Sequence, residues 1–299
     1  MEKYELDEIL ASLRGERTLF RYTRDAYALQ LLRDYIGQGM SIAQVRQSPF
    51  ANWLNKPIVK QALAYAGKGE LKPQHLEWAT WEQPMLNFVL TLDQWGDERN
   101  SQRKWKQMSR TGYHLVMQLN FANDHQERFQ QLVKGADHGE FSYWGHPINK
   151  SKHETLAWAR IDVDFASNQA LIEELQSDWV RQVKRDWQTW RFDNINTYRE
   201  EVLKPYAQVW DEALMAATIQ LIRHDLGIKE IFYNSFDTGN FLKGIRGDSK
   251  PPRSMYTTLP EKFAFTLTDE VPRFLEGLRE VNKAQRKLSQ GARWFKFPN

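Results

Sequence analysis

Four polar side chains near the middle of the sequence have the types and the spacing of a candidate catalytic site. Arg160 lies in one segment of alternating polarity, and Glu174, Gln176 and Asp178 lie in the next. Neighbouring carboxylates raise each other's pKa and a nearby arginine lowers it, so such a group can keep a base and an acid at neutral pH. The alternative is a solvated sheet face whose cross-strand ion pairs contribute about 0.2–1 kcal/mol each. We take these four as the candidate catalytic residues.

Two predicted strands, 156–165 and 170–179, must position these side chains. Side chains alternate across a strand, so each segment has one apolar and one polar face. The predicted apolar face carries Ala157, Ala159, Ile161, Val163, Phe165, Leu171, Leu175 and Trp179. The predicted polar face carries Trp158, Arg160, Asp162, Asp164, Glu174, Gln176 and Asp178. A turn at 166–169 joins the strands into a hairpin, which puts Arg160 within ion-pair reach of Glu174 on a partly open face.

A loop at 237–253 is the candidate binding segment for an anionic ligand. It follows a short buried strand predicted at 228–234, and it contains three glycines and four cationic residues. Ligands of such sheets bind at the carboxyl ends of strands, and glycines let backbone amides approach phosphate oxygens. Lys243, Arg246 and Arg253 are therefore candidate ligand-binding residues. The loop matches neither a Walker nor a dinucleotide fingerprint, and the alternative is a mobile surface loop.

The hydrophobic periodicity predicts an α+β fold. Residues 1–82 follow helical spacing, with Ser41 and Pro57 at predicted helix starts, and alternation begins near Phe88. The sequence therefore predicts a helical N-terminal region at 1–82 and an α+β domain at 83–299, whose mixed and mainly antiparallel sheet is flanked by helices. A helix that ends at Gly227 joins the segment after Asp178 to the strand at 228–234, as in a parallel crossover. A late strand at 263–267, a helix at 271–288 and a basic aromatic tail complete the chain.

The composition excludes several classes of site. The 299 residues include no cysteine, which rules out disulfides, thiolate metal sites and cysteine nucleophiles. A net charge of +3 permits nucleic-acid binding without implying it. The N-terminus is acidic rather than signal-like, and no run approaches the roughly 18 apolar residues of a membrane span. We expect a cytoplasmic protein without a membrane partner.

Histidines do not form a recognisable metal motif in the sequence. His138, His146 and His153 lie near Glu140, but their spacing matches no known ligand pattern. Histidines in loops are commonly solvated, so the sequence predicts no metal site. It also leaves the cofactor unknown.

The segment 155–179 resembles a domain found in large multidomain phage-encoded proteins and in uncharacterised bacterial proteins. There an arginine-bearing strand precedes Glu-Ile-Gln-Ser-Asp-Trp, and here the second segment reads Leu-Ile-Glu-Glu-Leu-Gln-Ser-Asp-Trp. The likeness extends over residues 141–275. It implies no known activity, and it points to the same four residues, Arg160, Glu174, Gln176 and Asp178, as those to test.

The order of predicted elements is also similar to the acyl-CoA-dependent N-acetyltransferase fold. Antiparallel strands are followed by a helix, a parallel strand and a late Tyr256 before a final strand. That family has a glycine-rich pyrophosphate loop after its fourth strand, whereas residues 176–191 contain no glycine here. The resemblance implies the fold, and the sequence departs from it at the acyl-CoA site.

Two functions follow as alternatives. The first is a transferase or hydrolase for a phosphate-bearing substrate, in which Arg160 and the three loop cations hold the anion and Glu174 or Asp178 is the general base. The second is a non-enzymatic module for protein interaction or for nucleic acid, which aromatic and basic residues would bind by stacking and by charge. The residues of this second reading are Trp179, Arg181, Lys184, Arg185, Trp187, Trp190 and Arg191.

Overall fold

A mixed sheet of eight strands lies at the centre of the protein. The structure is a computed structural model that describes residues 1–13, 19–67, 69–81, 83–97, 107–137, 139–149, 153–185, 188–247 and 250–298, without the side chain of Trp190. Its strands are β1 (Phe20–Tyr22), β2 (Met40–Ser41), β3 (Glu70–Leu71), β4 (Leu86–Asp97), β5 (Gly112–Phe121), β6 (Thr155–Asp164), β7 (Gln169–Gln176), β8 (Glu230–Asn234), β9 (Thr266–Thr268) and β10 (Trp294–Lys296). Its α-helices are α1 (Lys3–Leu13), α2 (Ala26–Ile36), α3 (Ile42–Arg46), α4 (Pro57–Tyr65), α5 (Pro73–Trp81), α6 (Asn123–Leu132), α7 (Asp178–Val183), α8 (Gln188–Arg191), α9 (Ile195–Thr197), α10 (Lys204–Ala207), α11 (Trp210–Gln220), α12 (Phe236–Leu242), α13 (Thr258–Lys262) and α14 (Arg279–Lys287).

The strands of the sheet lie in the order β1-β4-β5-β6-β7-β8-β10-β9, and β2 pairs with β3 separately. Strands β4 to β7 form an antiparallel meander, β8 runs parallel to β7, and β10 is antiparallel to both β8 and β9. The predicted α+β class, with a mainly antiparallel mixed sheet flanked by helices, is confirmed. None of the helices in the described part of the chain has the length and apolar character that a membrane crossing needs.

The connection from β7 to β8 is the predicted crossover. Parallel neighbours cannot be joined by a tight turn, so helices α7 to α11 carry the chain back across one face of the sheet. Helix α11 packs against β6 and β7. The last helical turn, Leu221–Asp225, is of the π type, and Gly227 follows with a φ of 68°, a left-handed conformation that glycine adopts without a Cβ clash.

The N-terminal region is mainly helical and shares its core with the sheet. Ser41 forms a capping box with Gln44 at the start of α3, and Pro57 occupies the first turn of α4, as the sequence predicted. Strand β1 adds to the edge of the sheet, with Phe20 opposite Phe88. One continuous apolar cluster includes residues of α1 to α5 and of the sheet. Glu82, the predicted boundary, lies outside the described residues, and the two-part division remains a prediction.

Two expectations for the C-terminal part are wrong in detail. The late strand is β9 at Thr266–Thr268, because Phe263 still caps helix α13. The single helix expected at 271–288 is a short 3-10 turn at Arg273–Leu275 followed by α14, and Gly277 separates them with a φ of 76°. The aromatic tail forms β10, which pairs with β8 and β9.

A β-bulge in β7 changes the alternation that the sequence predicted. Arg160 pairs with Glu174, but the next residue of β6, Ile161, pairs with Ile172, so Glu173 is an extra residue in β7. Leu175 therefore contacts the main core, whereas Leu171 lies in a separate cluster on the other face. The prediction that Leu171 and Leu175 share one face is wrong because the bulge reverses the alternation between them.

Trp179 anchors the start of the crossover in the main core. Its ring packs edge-on against Phe121 and Phe141 at centroid distances of 5.3 and 5.2 Å, and its indole nitrogen donates a hydrogen bond to the Tyr198 hydroxyl at 2.8 Å. The side chain is fully buried. Its apolar area and its hydrogen bond both stabilise the position of α7 next to the sheet.

We expect Trp179→Ala to lower the free energy of unfolding by about 3–5 kcal/mol, because truncation of a buried aromatic side chain leaves a cavity. Urea denaturation followed by circular dichroism measures this change. Trp144→Ala is the matched control, since that side chain is 67% exposed, and it should change stability by less than about 0.5 kcal/mol. Equal effects of the two substitutions would contradict the assignment of Trp179 to the core.

Candidate functional site

Polar side chains line the face of the sheet that lies opposite the main apolar core. Alternate residues of β5, β6 and β7 contact that core, and their neighbours point to the second face. This second face carries His114, Gln118, Trp158, Arg160, Asp162, Glu173, Glu174 and Gln176. Segments outside the sheet form hydrogen bonds with these groups, as donors or as acceptors. These segments cover most of the face. The sheet therefore buries a set of charged groups under a polar cover.

Arg160, Glu174 and Lys243 form a buried ion cluster at the centre of this face. The Arg160 Nη2 atom lies 2.7 Å from Glu174 Oε2, and the Lys243 Nζ atom lies 3.3 Å from the same oxygen. The three residues are 1%, 6% and 4% exposed. The predicted pairing of Arg160 with Glu174 is confirmed. The expectation that the pair lies on a partly open face is wrong, because Lys243 and its neighbours after α12 cover the pair.

The cluster keeps Glu174 ionised. Burial by itself raises the pKa of a carboxyl group, but the charges of Lys243 and Arg160 outweigh it and hold the pKa of Glu174 below its ordinary value. Lys243 also donates a hydrogen bond to the Glu173 carbonyl oxygen at 3.2 Å. Glu174 is thus a permanent acceptor that fixes two buried cations in place.

A histidine and an aspartate form a second polar pair at the end of β7. Ser177 caps α7 by accepting a hydrogen bond from the Val180 amide, and Asp178 stands in the first turn of that helix. The His146 Nδ1 atom lies 2.6 Å from Asp178 Oδ2, and Gln176 donates a hydrogen bond to Oδ1 at 2.7 Å. Because the carboxylate only accepts, Nδ1 carries a proton, and in the neutral imidazole the lone pair is on Nε2. We refer to His146 and Asp178 as the His–Asp pair.

The environment of Asp178 favours its charged form. Burial would raise the pKa of this carboxyl, but the hydrogen bond and charge of His146, the hydrogen bond from Gln176 and the charge of Arg181 together lower it. Arg181 Nη2 donates to Asp178 Oδ1 at 2.6 Å. His146 itself is half-buried, with its ring edge-on to Trp158 at a centroid distance of 5.2 Å. Asp178 therefore orients an imidazole that remains accessible.

Three further buried residues on this face were missed as site residues by the sequence reasoning. His114, Asp162 and Glu173 are fully buried, and their possible ligand atoms lie within 4.8 Å of one another. Burial lowers the pKa of His114 to about 3. Strict alternation between Leu171 and Leu175 would put Glu173 on the apolar face, and the bulge places it here beside Glu174. A carboxylate at a predicted core position of a strand was the one signal in the sequence.

A basic groove lies between α12 and α14, above the ion cluster. Its volume is about 640 Å³. The cationic residues that line it are Lys243, Arg246, Lys250, Lys283 and Lys287. Two carboxylates, Asp237 and Glu280, also line it, and Glu280 forms an ion pair with Lys283 at 3.1 Å. Lys243 belongs to both the groove and the ion cluster, so the two are adjacent.

The other predicted ligand-binding residues occupy different places. Arg246 is exposed and lines the groove. Arg253 is exposed outside the groove lining, with its guanidinium 4.4 Å from the centre of the Phe236 ring. Arg160 faces Glu174 beneath the cover and does not line the groove. His138 lies outside the described residues, and His146 pairs with Asp178 rather than with another histidine.

The described members of the set expected to bind nucleic acid do not form an exposed stacking surface. Trp179 is buried, and Arg181 pairs with Asp178. Arg191 forms an ion pair with Glu140 at 2.5 Å. Lys184 and Arg185 are exposed, and Trp187 and the side chain of Trp190 lie outside the described part of the structure.

Comparison of the chain with protein-family models, with curated proteins and with solved structures finds no match. The function therefore has to be argued from the geometry of the polar face. That geometry combines three parts: the buried ion cluster, the His–Asp pair and the basic groove.

We expect Glu174→Gln to lower the free energy of unfolding by about 3–5 kcal/mol, because the change leaves the charges of Arg160 and Lys243 buried without a counter-charge. Denaturant unfolding measures the loss. Glu200→Gln is the control, since Glu200 pairs with Lys204 on the open surface, and its stability should match that of the wild type. A Glu174→Gln protein as stable as the wild type would mean that the ion cluster is not needed for the fold.

The lowered pKa of Asp178 predicts a pH-dependent contribution to stability. An acid whose folded pKa lies below its unfolded value stabilises the folded state above the unfolded pKa, about 3.9, and loses that contribution as the pH falls through the folded value. Asp178→Asn should therefore be less stable than the wild type at neutral pH, and the difference should shrink as the pH is lowered below about 4. Unfolding curves between neutral and acid pH measure it, with exposed Asp193→Asn as the control. A difference that is constant with pH would contradict the assignment.

Proposed function

We propose that the protein is a transferase or hydrolase that acts on a small phosphate-bearing substrate. The phosphate binds in the basic groove, and the reaction takes place beside the His–Asp pair. One observation carries the proposal: Lys243 lines the groove and also lies 3.3 Å from the buried Glu174 carboxylate. Lys243 thereby joins the wall of the groove to the buried ion cluster.

The groove has the size and charge for such a ligand. Small-molecule sites commonly have volumes of about 300–1,000 Å³, and this groove has about 640 Å³. Besides the buried Lys243, four cationic residues and two carboxylates line it, so its net charge favours an anion. Lysine and arginine side chains bind phosphate oxygens through charge-assisted hydrogen bonds.

His146 is the proposed general base. In its neutral form the imidazole has its lone pair on Nε2, because Nδ1 donates to Asp178, and an orienting carboxylate produces the same arrangement in catalytic His–Asp pairs. Glu174 and Asp178 have lowered pKa values, so both act as fixed carboxylates that position a cation and an imidazole. The proton of the attacking water or acceptor group moves to His146 Nε2.

The His–Asp pair and the groove share one face and one end of the sheet. Glu174 contacts Lys243, and Gln176, two residues further along β7, contacts Asp178. Residues two apart on a strand are separated by about 7 Å on the same face. The ion cluster and the His–Asp pair are therefore neighbours on the same face of the sheet.

The order of the strands supports a group-transfer enzyme. Four antiparallel strands, a helical crossover to a parallel strand and a final antiparallel pair form the order that the likeness to acyl-CoA-dependent N-acetyltransferases implies. The protein differs from that family in the segment directly after β7. The carboxylate of Asp178 stands directly after β7, where the family has its glycine-rich pyrophosphate loop. We therefore place the phosphate groups in the basic groove rather than after β7.

The alternative of a nucleic-acid module receives less support. The stacking surface of Trp179 is buried, and the charges of Arg181 and Arg191 are already compensated by carboxylates. Exposed Lys184 and Arg185 remain as surface cations. They do not by themselves form a site for a base.

Steady-state kinetics with ATP and acetyl-CoA as probe substrates test the proposal. We expect the wild type to convert one of them, and His146→Gln to lower kcat by about 100-fold or more with little change in KM, because the general base is lost. Arg246→Ala combined with Lys287→Ala should raise KM, since both side chains line the groove. Product analysis by mass spectrometry distinguishes transfer from hydrolysis.

Two matched controls accompany these variants. His224 also pairs with an aspartate, Asp34, at 2.8 Å, but it lies on the open surface, so His224→Gln should keep the wild-type kcat. Arg286→Ala removes a cation from the same helix as Lys287 without altering the groove lining, so it should keep the wild-type KM. Full activity of His146→Gln would overturn the proposal. So would a wild-type protein that neither binds nor converts ATP or acetyl-CoA.

A further inference from the structure

A cluster of three fully buried side chains lies next to the ion cluster on the same face. It consists of His114 of β5, Asp162 of β6 and Glu173 of the β7 bulge. Their nitrogen and carboxylate oxygen atoms lie within 4.8 Å of one another, and His114 Nε2 is 3.7 Å from Asp162 Oδ2. This separation is too long for a hydrogen bond. Three strands thus direct ligand atoms toward one point.

His114 has no hydrogen-bond partner at this point. Neither of its ring nitrogens is bonded to another described residue, although the side chain is fully buried. Burial of an unsatisfied polar group costs about 1–3 kcal/mol, and buried polar groups are almost always paired. The second fully enclosed histidine, His125, differs because its Nε2 atom is 2.9 Å from the Tyr198 hydroxyl. The ring nitrogens of His114 therefore lack the partner that a buried polar group normally has.

Glu173 has no described cation within ion-pair distance, and the charges of Arg160 and Lys243 act on it only from farther away. It accepts hydrogen bonds from the Ser109 amide and hydroxyl at 2.9 and 3.0 Å and from the Asn234 side chain at 3.2 Å, all of them neutral donors. No cation of the described residues forms an ion pair with it. The adjacent Glu174 has two such cations. A buried carboxylate without a counter-charge is unstable unless a proton or a cation joins it.

We propose that His114, Asp162 and Glu173 bind a divalent first-row transition metal such as Zn²⁺ or Mn²⁺. One imidazole and two carboxylates are a donor set that suits these ions. Bonds of about 2.0–2.2 Å place neighbouring ligand atoms about 3–4 Å apart, so the widest separation between them has to shorten by about 1–2 Å. The ion supplies both the missing partner of His114 and the missing charge at Glu173.

The neighbouring residues are arranged as outer support for this site. Arg110 donates to both Asp162 oxygens, at 2.6 and 2.9 Å, and its Nη1 atom lies 3.3 Å from Asp164 Oδ1. Arg110 thus keeps Asp164 as a counter-ion when a metal shares Asp162. Ser109 and Asn234 hold Glu173 in place. Hydrogen bonds of this kind orient ligands in known metal sites. Because the cluster is fully buried, the proposed role is structural, and it does not depend on the proposed catalytic function.

Metal content and thermal unfolding of the full chain test this inference. The protein is stripped with a chelator, then titrated with Zn²⁺, Mn²⁺ or Mg²⁺, and the bound metal is counted by mass spectrometry after dialysis. We expect one Zn²⁺ or Mn²⁺ per chain and an unfolding midpoint that rises with metal concentration by mass action. Mg²⁺ should bind more weakly, because it prefers oxygen ligands and retains its water.

Glu173→Gln and His114→Gln should abolish both the bound metal and the rise in the midpoint. Glu173→Gln decides the outcome if the histidine variant does not fold, because its amide keeps the shape and an acceptor oxygen for Ser109. His125→Gln is the matched control, since it changes an equally buried histidine on the other face and should bind metal as the wild type does. If the wild type binds no metal and its midpoint is unchanged, or if Glu173→Gln binds as tightly as the wild type, the inference is wrong and a buried water joins the three groups.

Discussion

The extra residue in β7 is the constraint on which the polar face depends. A regular strand would turn either Glu173 or Glu174 toward the main apolar core. The bulge places Glu173 and Glu174 in succession on one face, so the sheet buries two neighbouring carboxylates. Charges in a protein interior require partners, and this requirement then determines what the surrounding elements contribute.

The partners of these carboxylates come from distant parts of the chain. Arg160 reaches Glu174 from the paired strand, and Lys243 reaches it from the end of α12. Lys243 can do so because β8 runs parallel to β7, so that both strands end at the same edge and α12 begins directly above it. The crossover through α7 to α11 is therefore a structural condition for the ion cluster as well as for the sheet.

One face of the sheet supplies the apolar core, and the other carries the candidate functional site. The N-terminal helices, α6 and α11 cover the apolar face and supply the core around Trp179. The other face holds the ion cluster at its centre, with the His–Asp pair at one side and the basic groove above it. A buried ion cluster under an accessible imidazole and a charged groove is suited to a site that must hold its geometry.

The sequence by itself determined the α+β class, the start of alternation near β4, the parallel crossover and the pairing of Arg160 with Glu174, because these follow from local periodicity and turn chemistry. Only the tertiary structure decided that this pair is buried, that Glu173 joins it, that His146 reaches Asp178 and that Lys243, unlike Arg253, contacts the site. The alternation marks the bulge only by one carboxylate at a predicted core position, and a loop side chain contacts its partner only when the sheet edge is assembled. Contacts between residues far apart in the chain depend on that assembly, which alternation along one strand does not encode.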